Sequence, residues 1–174
     1  MSSIDYNLSQ IRGIAFDVDG VLSPSTIPMD SNGMPQRMVN IKDGYALQLA
    51  VKMGIEIAII TGADTESIAS RYRMLGIRDI YLKASDKLPI LEDWMARRGL
   101  TSHEVAYVGD DIPDILPMQN VGLPVCPSDA SSDVKRISCM IAKAKGGYGV
   151  ARELLEEILK AKGVWLTKDE AFGW

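Results

Sequence analysis

The sequence predicts one α/β domain, residues 1–174, built on a doubly wound and mostly parallel sheet. Short apolar runs alternate along the chain with stretches of helical periodicity, the order expected of repeated strand–helix units. Runs such as residues 55–60 and 105–108 are continuously apolar, which is typical of strands covered on both faces. With 174 residues and an apolar fraction of 47%, the chain is long enough to bury a complete core.

Each element is indicated by its local pattern. Strands are predicted at residues 11–18, 55–60, 79–82, 105–108 and 123–126, with 139–142 as a candidate sixth. Helices are predicted at residues 43–53, 64–75, 86–98 and 150–159, with a short one between Pro113 and Gly122. Asp64 is expected to cap the second helix, and Gly54, Gly76 and Gly99 stand where the first three should end.

Two segments interrupt the alternation. Residues 21–41 carry a turn sequence around Gly33 between short apolar runs, which predicts a β-hairpin projecting from the sheet. The tail, residues 163–174, contains two tryptophans and a phenylalanine, and is too apolar for a free tail. It is expected either to pack on its own subunit or to dock near a neighbour's site.

Composition excludes several classes of function. Lys and Arg total 19 against 23 Asp and Glu, giving a formal charge of −4 and no basic block, so neither nucleic acid nor a membrane is an expected partner. No apolar run approaches the roughly 18 residues of a membrane span, and the N-terminus lacks a signal-peptide pattern. Two cysteines suggest a reduced, cytoplasmic setting. With a single histidine, chemistry must rely on carboxylates, Lys, Ser and Thr.

The strongest chemical signal is the pair Asp17 and Asp19 at the end of the first predicted strand. In an extended chain, side chains two residues apart point to the same side, so these two carboxylates should lie about 7 Å apart. Ligands of open α/β sheets bind beyond the carboxyl ends of the strands. Like charges held there are costly unless a cation or a substrate compensates them.

Other polar residues follow the other strands. They are Thr61 and Gly62 after the second, Lys87 after the third, and Asp110, Asp111 and Asp114 after the fourth. The fold should bring all of them to one edge. Carboxylates with an open coordination position suit Mg²⁺, while a Lys and a hydroxyl suit phosphoryl oxygens.

In order and spacing, these segments resemble the four motifs of the haloacid dehalogenase (HAD) superfamily, whose fold is Rossmann-like. The resemblance implies that Asp17 is the nucleophile and Asp19 the general acid and base. It implies that Thr61, Gly62 and Lys87 bind phosphate, and that Asp17, the Asp19 carbonyl and Asp110 bind Mg²⁺. Asp111 and Asp114 would support the metal from outside its ligand set, or Asp114 would orient Lys87.

The spacing also narrows the reaction. An Asp at position 19 favours a phosphatase over an ion pump or a mutase, because hydrolysis of an aspartyl-phosphate needs a base. Only 23 residues separate Asp19 from Asp43, and 25 separate Thr61 from Lys87, so neither gap can hold a cap domain. The open site suggests an oligomer in which neighbours cover each other's sites.

Residues 40–45, 106–111 and 146–149, with Arg152, resemble the capless phosphatases of 3-deoxy-D-manno-octulosonate 8-phosphate (KDO8P), described as tetramers. That resemblance implies a homotetramer acting on a sugar-acid phosphate in lipopolysaccharide synthesis. Ala63 stands where these phosphatases often carry a charged residue that selects the sugar acid. A nonulosonate 9-phosphate therefore remains an alternative substrate, as does a broader set of phosphate esters.

Four residues are candidates for substrate binding: Lys42, Asp43, Gly44 and Arg152. Asp43 is expected to cap its own helix, with or without a sugar contact, and Arg152 has a surface ion pair as its ordinary alternative. Outside the enzyme class, a signalling receiver domain shares the sheet and the acidic cluster. Its acidic pair, phosphorylated Asp and Lys come in a different chain order. A non-catalytic protein on the same fold is disfavoured because every catalytic position is filled.

Overall fold

The computed structural model describes residues 4–167 and 169–174. Its sheet has six strands: β1 Gly13–Phe16, β2 Glu56–Ile60, β3 Asp79–Tyr81, β4 Val105–Val108, β5 Leu123–Cys126 and β6 Met140–Ile141. Every pairing is parallel, and the spatial order is β3-β2-β1-β4-β5-β6. The doubly wound sheet is confirmed. Because the order reverses between β1 and β4, the crevice beyond their carboxyl ends is where such folds bind ligands.

Helices cover both faces of the sheet. They are α1 Ile41–Lys52, α2 Glu66–Arg73, α3 Lys87–Arg98, α4 Ile115–Gln119, α5 Ser132–Ile137 and α6 Val150–Ala161. Apolar side chains of α1, α2 and α6 form one core on one face of the sheet. A smaller core on the other face involves α3, α4 and α5 and is centred on the fully buried Trp94. Two-sided burial explains why the strands are continuously apolar.

The elements differ from the sequence predictions mainly at their ends. The expectation that Asp64 caps α2 is wrong, because the helix begins one residue after Thr65, and Asp64 instead pairs with Lys83 Nζ at 2.9 Å. Helix α5 was not predicted. It has six residues and buries only Val134, so it offers no helical periodicity to detect.

The hairpin segment, residues 21–41, reverses direction around Asp30. The Asp30 carboxylate accepts hydrogen bonds from the N–H groups of Asn32 at 2.8 Å and Met34 at 2.9 Å. One antiparallel bridge joins Met29 to Pro35, and no strand is formed in this segment, all of which is described. Proline has no N–H to donate to a ladder, so Pro28 and Pro35 limit the hairpin to this short reversal.

The tail packs on helix α1 of its own chain. The Tyr45 ring meets the rings of Trp165 and Trp174 edge to face, at 6.4 and 6.2 Å between centroids. The buried Gln48 donates to the carbonyl of Gly173 at 3.4 Å. Lys168, within the predicted tail, lies outside the described residues. The tail was expected either to pack on its own subunit or to dock near a neighbour's site, and in the structure it packs on its own subunit.

None of the helices within the described ranges has the length and apolarity needed to cross a bilayer.

Candidate active site

The site is built around Asp17, the first residue after the central strand β1. Its N–H donates to the carbonyl of Val108 at 3.0 Å, which continues the β1–β4 ladder by one bond. Its carboxylate accepts from the N–H of Val18 at 2.7 Å. The backbone of Asp17 is thus held by β4 and its carboxylate by the following residue, and Asp17 is buried, with 8% of its surface exposed.

The loops after β1 and β4 interlock at Gly20. This glycine has a φ of +85°, and a Cβ atom there would lie 1.9 Å from Oδ2 of Asp110. A side chain at this position would therefore be strained and would collide with the Asp110 carboxylate. Because Gly20 has no side chain, Asp110 can approach the loop that follows β1.

Three carboxylates converge here. Asp17, Asp110 and Asp114 each offer an oxygen atom, and these atoms lie within 4.8 Å of one another. Lys87, the first residue of α3, places its Nζ 2.8 Å from Oδ2 of Asp17 and 2.8 Å from Oδ1 of Asp114. One buried ammonium group faces three carboxylates, which leaves the cluster with an excess of negative charge.

The pKa values reflect this excess. Burial raises the pKa of Asp17 to about 7, reinforced by Asp114 and opposed by Lys87. Burial likewise raises the pKa of Asp110 to about 7, and the neighbouring Asp114 and Asp17 add to the effect. A hard divalent cation would relieve the repulsion, and carboxylate oxygens are the ligands that Mg²⁺ prefers. The residues present fit that metal.

Asp114 holds the cluster together. Its Oδ1 accepts hydrogen bonds from Lys87 at 2.8 Å and from the Tyr107 hydroxyl at 2.9 Å, while Oδ2 accepts from the N–H of Asp110 at 3.0 Å. Sequence reasoning missed Tyr107, which reads as an ordinary core residue of β4. Asp111 is exposed and is not part of the three-carboxylate cluster.

The predicted phosphate-binding residues lie at the same sheet edge. Thr61 follows β2 and is buried, and its backbone carbonyl accepts from the N–H of Ala84 at 2.9 Å. Its hydroxyl oxygen accepts from the N–H of Ala63 at 3.2 Å. Gly62 is exposed, and a Cβ there would come no closer than 3.9 Å to a neighbour, so the backbone at this position is open to an approaching group.

Asp19 lies at the edge of the cluster and has a partner of its own. Arg37, in the hairpin segment, approaches it with two nitrogen atoms, Nε to Oδ1 at 2.7 Å and Nη2 to Oδ2 at 2.8 Å. Sequence reasoning missed Arg37, because this contact spans 18 residues and follows no periodic spacing.

Comparison with known proteins gives the family. The chain is 37% identical over 163 residues to the 3-deoxy-D-manno-octulosonate 8-phosphate phosphatase KdsC of Escherichia coli strain K12, an alignment that covers 94% of this chain and 85% of that protein. The chain belongs to the KDO8P phosphatase family. No family model matches it.

Solved structures agree with this membership. The KDO8P phosphatase of Moraxella catarrhalis, in complex with magnesium, phosphate and KDO, superimposes with a TM-score of 0.86 at 33% identity, covering 90% of each chain. A Legionella pneumophila structure described as a HAD superfamily, subfamily III A, hydrolase gives a TM-score of 0.87 at 35% identity, covering 90% of this chain and 86% of that one. The resemblance inferred from the motifs is confirmed, and a receiver domain is disfavoured.

The expectation that Asp43 caps its own helix is wrong. Asn40 caps α1 by accepting from the N–H groups of Lys42 and Asp43. The Asp43 carboxylate instead accepts from the N–H of Arg152 at 2.7 Å, at the start of α6, so it joins two helices. Its Oδ2 is buried and has no hydrogen-bond partner within the described ranges. Burial raises the pKa of Asp43 to about 6.

The other candidates for substrate binding are arranged differently. The side chain of Lys42 is exposed on the first turn of α1. Gly44 makes room for Arg71, whose Nη2 lies 2.5 Å from where a Cβ would stand. Arg152 faces the tail: its guanidinium group covers the Trp165 ring at 4.9 Å and pairs with Glu156 at 2.9 Å. The structure therefore does not bring Arg152 into the carboxylate cluster.

An open cavity of about 570 Å³ lies beside the loop that follows β1. It is lined by Pro24, Asp129, Lys145 and Tyr148, among others. Gly146, also in its wall, touches the loop, since a Cβ there would lie 2.0 Å from the Gly20 carbonyl oxygen. The cavity provides space for a polar substrate next to the catalytic edge.

Proposed function

We propose that the protein is a Mg²⁺-dependent phosphomonoesterase that hydrolyses a sugar-acid phosphate, with KDO8P as its substrate and KDO and phosphate as its products. The observation that carries the proposal is the buried Lys87 between Asp17 and Asp114 within a cluster of three carboxylates. Membership of the KDO8P phosphatase family supports the substrate.

The chemistry proceeds in two steps. A carboxylate oxygen of Asp17 attacks phosphorus, the bond from phosphorus to the sugar oxygen breaks, and that oxygen takes a proton from Asp19. Water then attacks the aspartyl-phosphate, gives a proton to Asp19, and releases Asp17 and inorganic phosphate. Asp19 donates a proton in the first step and accepts one in the second, and each such transfer by a positioned group raises the rate about 10²–10⁴-fold.

The remaining residues bind and neutralise. The Thr61 hydroxyl, the Gly62 N–H and the Lys87 ammonium group hold the phosphoryl oxygens. Asp17, Asp110 and the Asp19 carbonyl would hold Mg²⁺, with Asp111 supporting the metal through water. The ion supplies positive charge for the phosphoryl oxygens. Asp114 keeps Lys87 in place between substrate and nucleophile.

The sugar acid extends from the phosphate into the cavity beside Gly146. Lys42, Asp43 and Gly44 lie at the start of α1, and we assign them to the substrate side of the site. Because Arg152 faces the tail of its own chain, a contact between Arg152 and substrate would have to be made across a subunit boundary.

We further propose that the single domain, residues 1–174, works in the cytoplasm as a homotetramer. The hairpin segment exposes an unusual number of apolar side chains: Met29, Met34, Met38, Val39 and Ile41. A contiguous exposed apolar patch is typical of an interaction site. Light scattering coupled to size-exclusion chromatography tests the proposed tetramer, and a monomer at micromolar concentration would contradict it.

Phosphate release from a panel of esters tests the function. KDO8P, a nonulosonate 9-phosphate and simple sugar phosphates are compared with Mg²⁺ present, and Asp17→Asn serves as the blank. A preference for KDO8P in kcat/KM is the expected result. A preference for the nine-carbon acid would overturn the substrate, and the absence of release from every ester would overturn the proposed activity.

A further inference from the structure

The two-point contact between Arg37 and Asp19 has no place in the roles given above. It is a side-on pairing through Nε and Nη2, in which both carboxylate oxygens accept hydrogen bonds, at 2.7 and 2.8 Å. The Arg37 side chain is only 13% exposed, while Asp19 is 37% exposed. A planar guanidinium group held in this way fixes the orientation of the carboxylate as well as its position.

Arg37 is itself anchored at a second point. Its Nη1 donates to the Thr65 hydroxyl at 3.2 Å. Thr65 is the N-cap residue of α2, but its side chain makes no capping hydrogen bond. The arginine therefore ties the hairpin segment both to the loop after β1 and to the start of α2. Each of its three side-chain nitrogen atoms has a protein partner.

Charge separates this pair from the acidic cluster. Asp17 and Asp114 share the ammonium group of Lys87, whereas Asp19 has the guanidinium group of Arg37 to itself. Because the charge of Arg37 is matched by Asp19 and its fork is occupied, it is poorly suited to bind the carboxylate of a substrate. Its contacts point to a role in placing Asp19.

We propose that Arg37 is a positioning residue for Asp19: it holds the carboxylate beside the leaving oxygen, and when Asp19 carries the proton that it donates from one oxygen, Arg37 keeps its hydrogen bond to the other. This inference rests on the proposed function. Without such a contact, an aspartate side chain in a loop can rotate about its single bonds. Proton transfer requires the donor to lie within hydrogen-bond reach of the leaving oxygen. The hairpin segment would thereby contribute to the chemical step through Arg37.

The reaction itself provides a selective test. When phosphorus leaves a sugar alcohol, the departing oxygen must take a proton from Asp19 as the P–O bond breaks. When it leaves p-nitrophenol, the electron pair stays on a stable phenolate and no proton is needed. Loss of a device that places Asp19 should therefore slow hydrolysis of alkyl phosphates much more than hydrolysis of aryl phosphates. Loss of fold or of phosphate binding should slow both alike.

The experiment compares kcat/KM for KDO8P and for p-nitrophenyl phosphate, because kcat/KM reports the step that releases the alcohol or phenol and excludes the base-assisted second step common to both esters. The variants are Arg37→Ala, Arg37→Lys, Asp19→Asn and the double variant Arg37→Ala with Asp19→Asn. We expect Arg37→Ala to lower kcat/KM on KDO8P by about 10–100-fold, part of the roughly 10²–10⁴ that a general acid contributes, and on the aryl ester by less than about 3-fold. In the Asp19→Asn background, the loss of Arg37 should have no further effect on KDO8P.

Arg12→Ala is the matched control. Arg12 precedes β1 and pairs with Glu104 at 2.9 Å, so its loss removes a carboxylate–guanidinium pair from the opposite end of the same strand. Its ratio of alkyl to aryl turnover should equal that of the wild type.

Several outcomes would overturn the proposal. Equal losses of kcat/KM on both esters, or a further loss in the Asp19→Asn background, would show that Arg37 does not act through Asp19. If Arg37→Ala does not fold, Arg37→Lys decides, because it keeps the charge and loses the fork; an unchanged ratio in that variant refutes the role. Wild-type protein that releases no phosphate from any ester would instead refute the proposed function.

Discussion

Replacing Asp43 by Asn should change how the stability of the protein depends on pH. Asp43 is buried, with 2% of its surface exposed, and burial raises its pKa from the ordinary 3.8 to about 6. A carboxyl group whose pKa is raised in the folded state binds its proton more tightly there than in the unfolded chain. Its ionisation therefore opposes folding, and stability falls as the pH rises from about 4 to about 6.

The magnitude follows from those two pKa values. At about 1.4 kcal/mol per pKa unit, the loss is complete above pH 6 and amounts to about 3 kcal/mol, of which about 2 kcal/mol falls between pH 4.5 and 7.5. The Asn side chain does not ionise, so this loss should vanish from the variant. Among the described residues, one buried polar atom of this side chain lacks a partner in the wild type and in the variant, and its cost of about 1–3 kcal/mol is the same at both pH values.

Urea unfolding at pH 4.5 and 7.5, in the same Mg²⁺ concentration, measures the effect. The free energy of unfolding of Asp43→Asn minus that of the wild type should be about 2 kcal/mol more positive at pH 7.5 than at pH 4.5. Asp93→Asn, at an exposed carboxylate paired with Arg97, is the control for the loss of one charge. If the two variants show the same pH difference, the buried carboxylate is not the cause and the reasoning fails.

Three further substitutions or conditions test the residues of the candidate active site. Asp19→Asn should retain metal and substrate binding but lose about 10²–10⁴ in kcat; turnover equal to wild type would refute its role as acid and base. The rise in melting temperature on adding Mg²⁺ should be larger at pH 8 than at pH 6, because the pKa values of Asp17 and Asp110 near 7 make protons compete with the ion below that pH. A rise independent of pH would exclude these carboxylates as ligands. Gly20→Ala should weaken Mg²⁺ binding and cost about 1–3 kcal/mol of stability, whereas Gly54→Ala, at a φ of +83° with open space around it, should show only the backbone cost. Equal effects in calorimetric titrations of both variants would show that the contact with Asp110 is unimportant.

The sequence predicted the residues at the carboxyl edge of the sheet better than it predicted the contacts that surround them. Asp17, Lys87 and Asp110 could be found because each follows a strand, and parallel strands end at one edge of the sheet. Asp114 was found for the same reason, although its use as the acceptor for Lys87 and Tyr107 depends on the packing of β4 against α3.

Contacts between distant segments were beyond such reasoning. Arg37 meets Asp19 only because the hairpin segment folds back over the loop after β1. Asp43 was expected to cap α1, a role that depends on local geometry, yet Asn40 takes that role and Asp43 reaches α6, 109 residues away. Arg152 was a candidate for substrate binding with a surface ion pair as its alternative; it forms the ion pair with Glu156 and lies over aromatic rings of α1 and the tail.

The central place of β1 has a consequence for how the site is made. Gly13 pairs with Glu56 on one side and with Val105 on the other, so β1, the first strand to be synthesised, gains its second neighbouring strand only after β2 and β3 have followed it. Contacts of such long sequence separation form slowly, because the intervening chain must be ordered before they stabilise anything. A nascent chain that ends before β4 holds Asp17 without Asp110 or Asp114. A chain must therefore extend past β4 before it carries all three carboxylates, and metal binding by truncated chains of increasing length would report the length at which the site is complete.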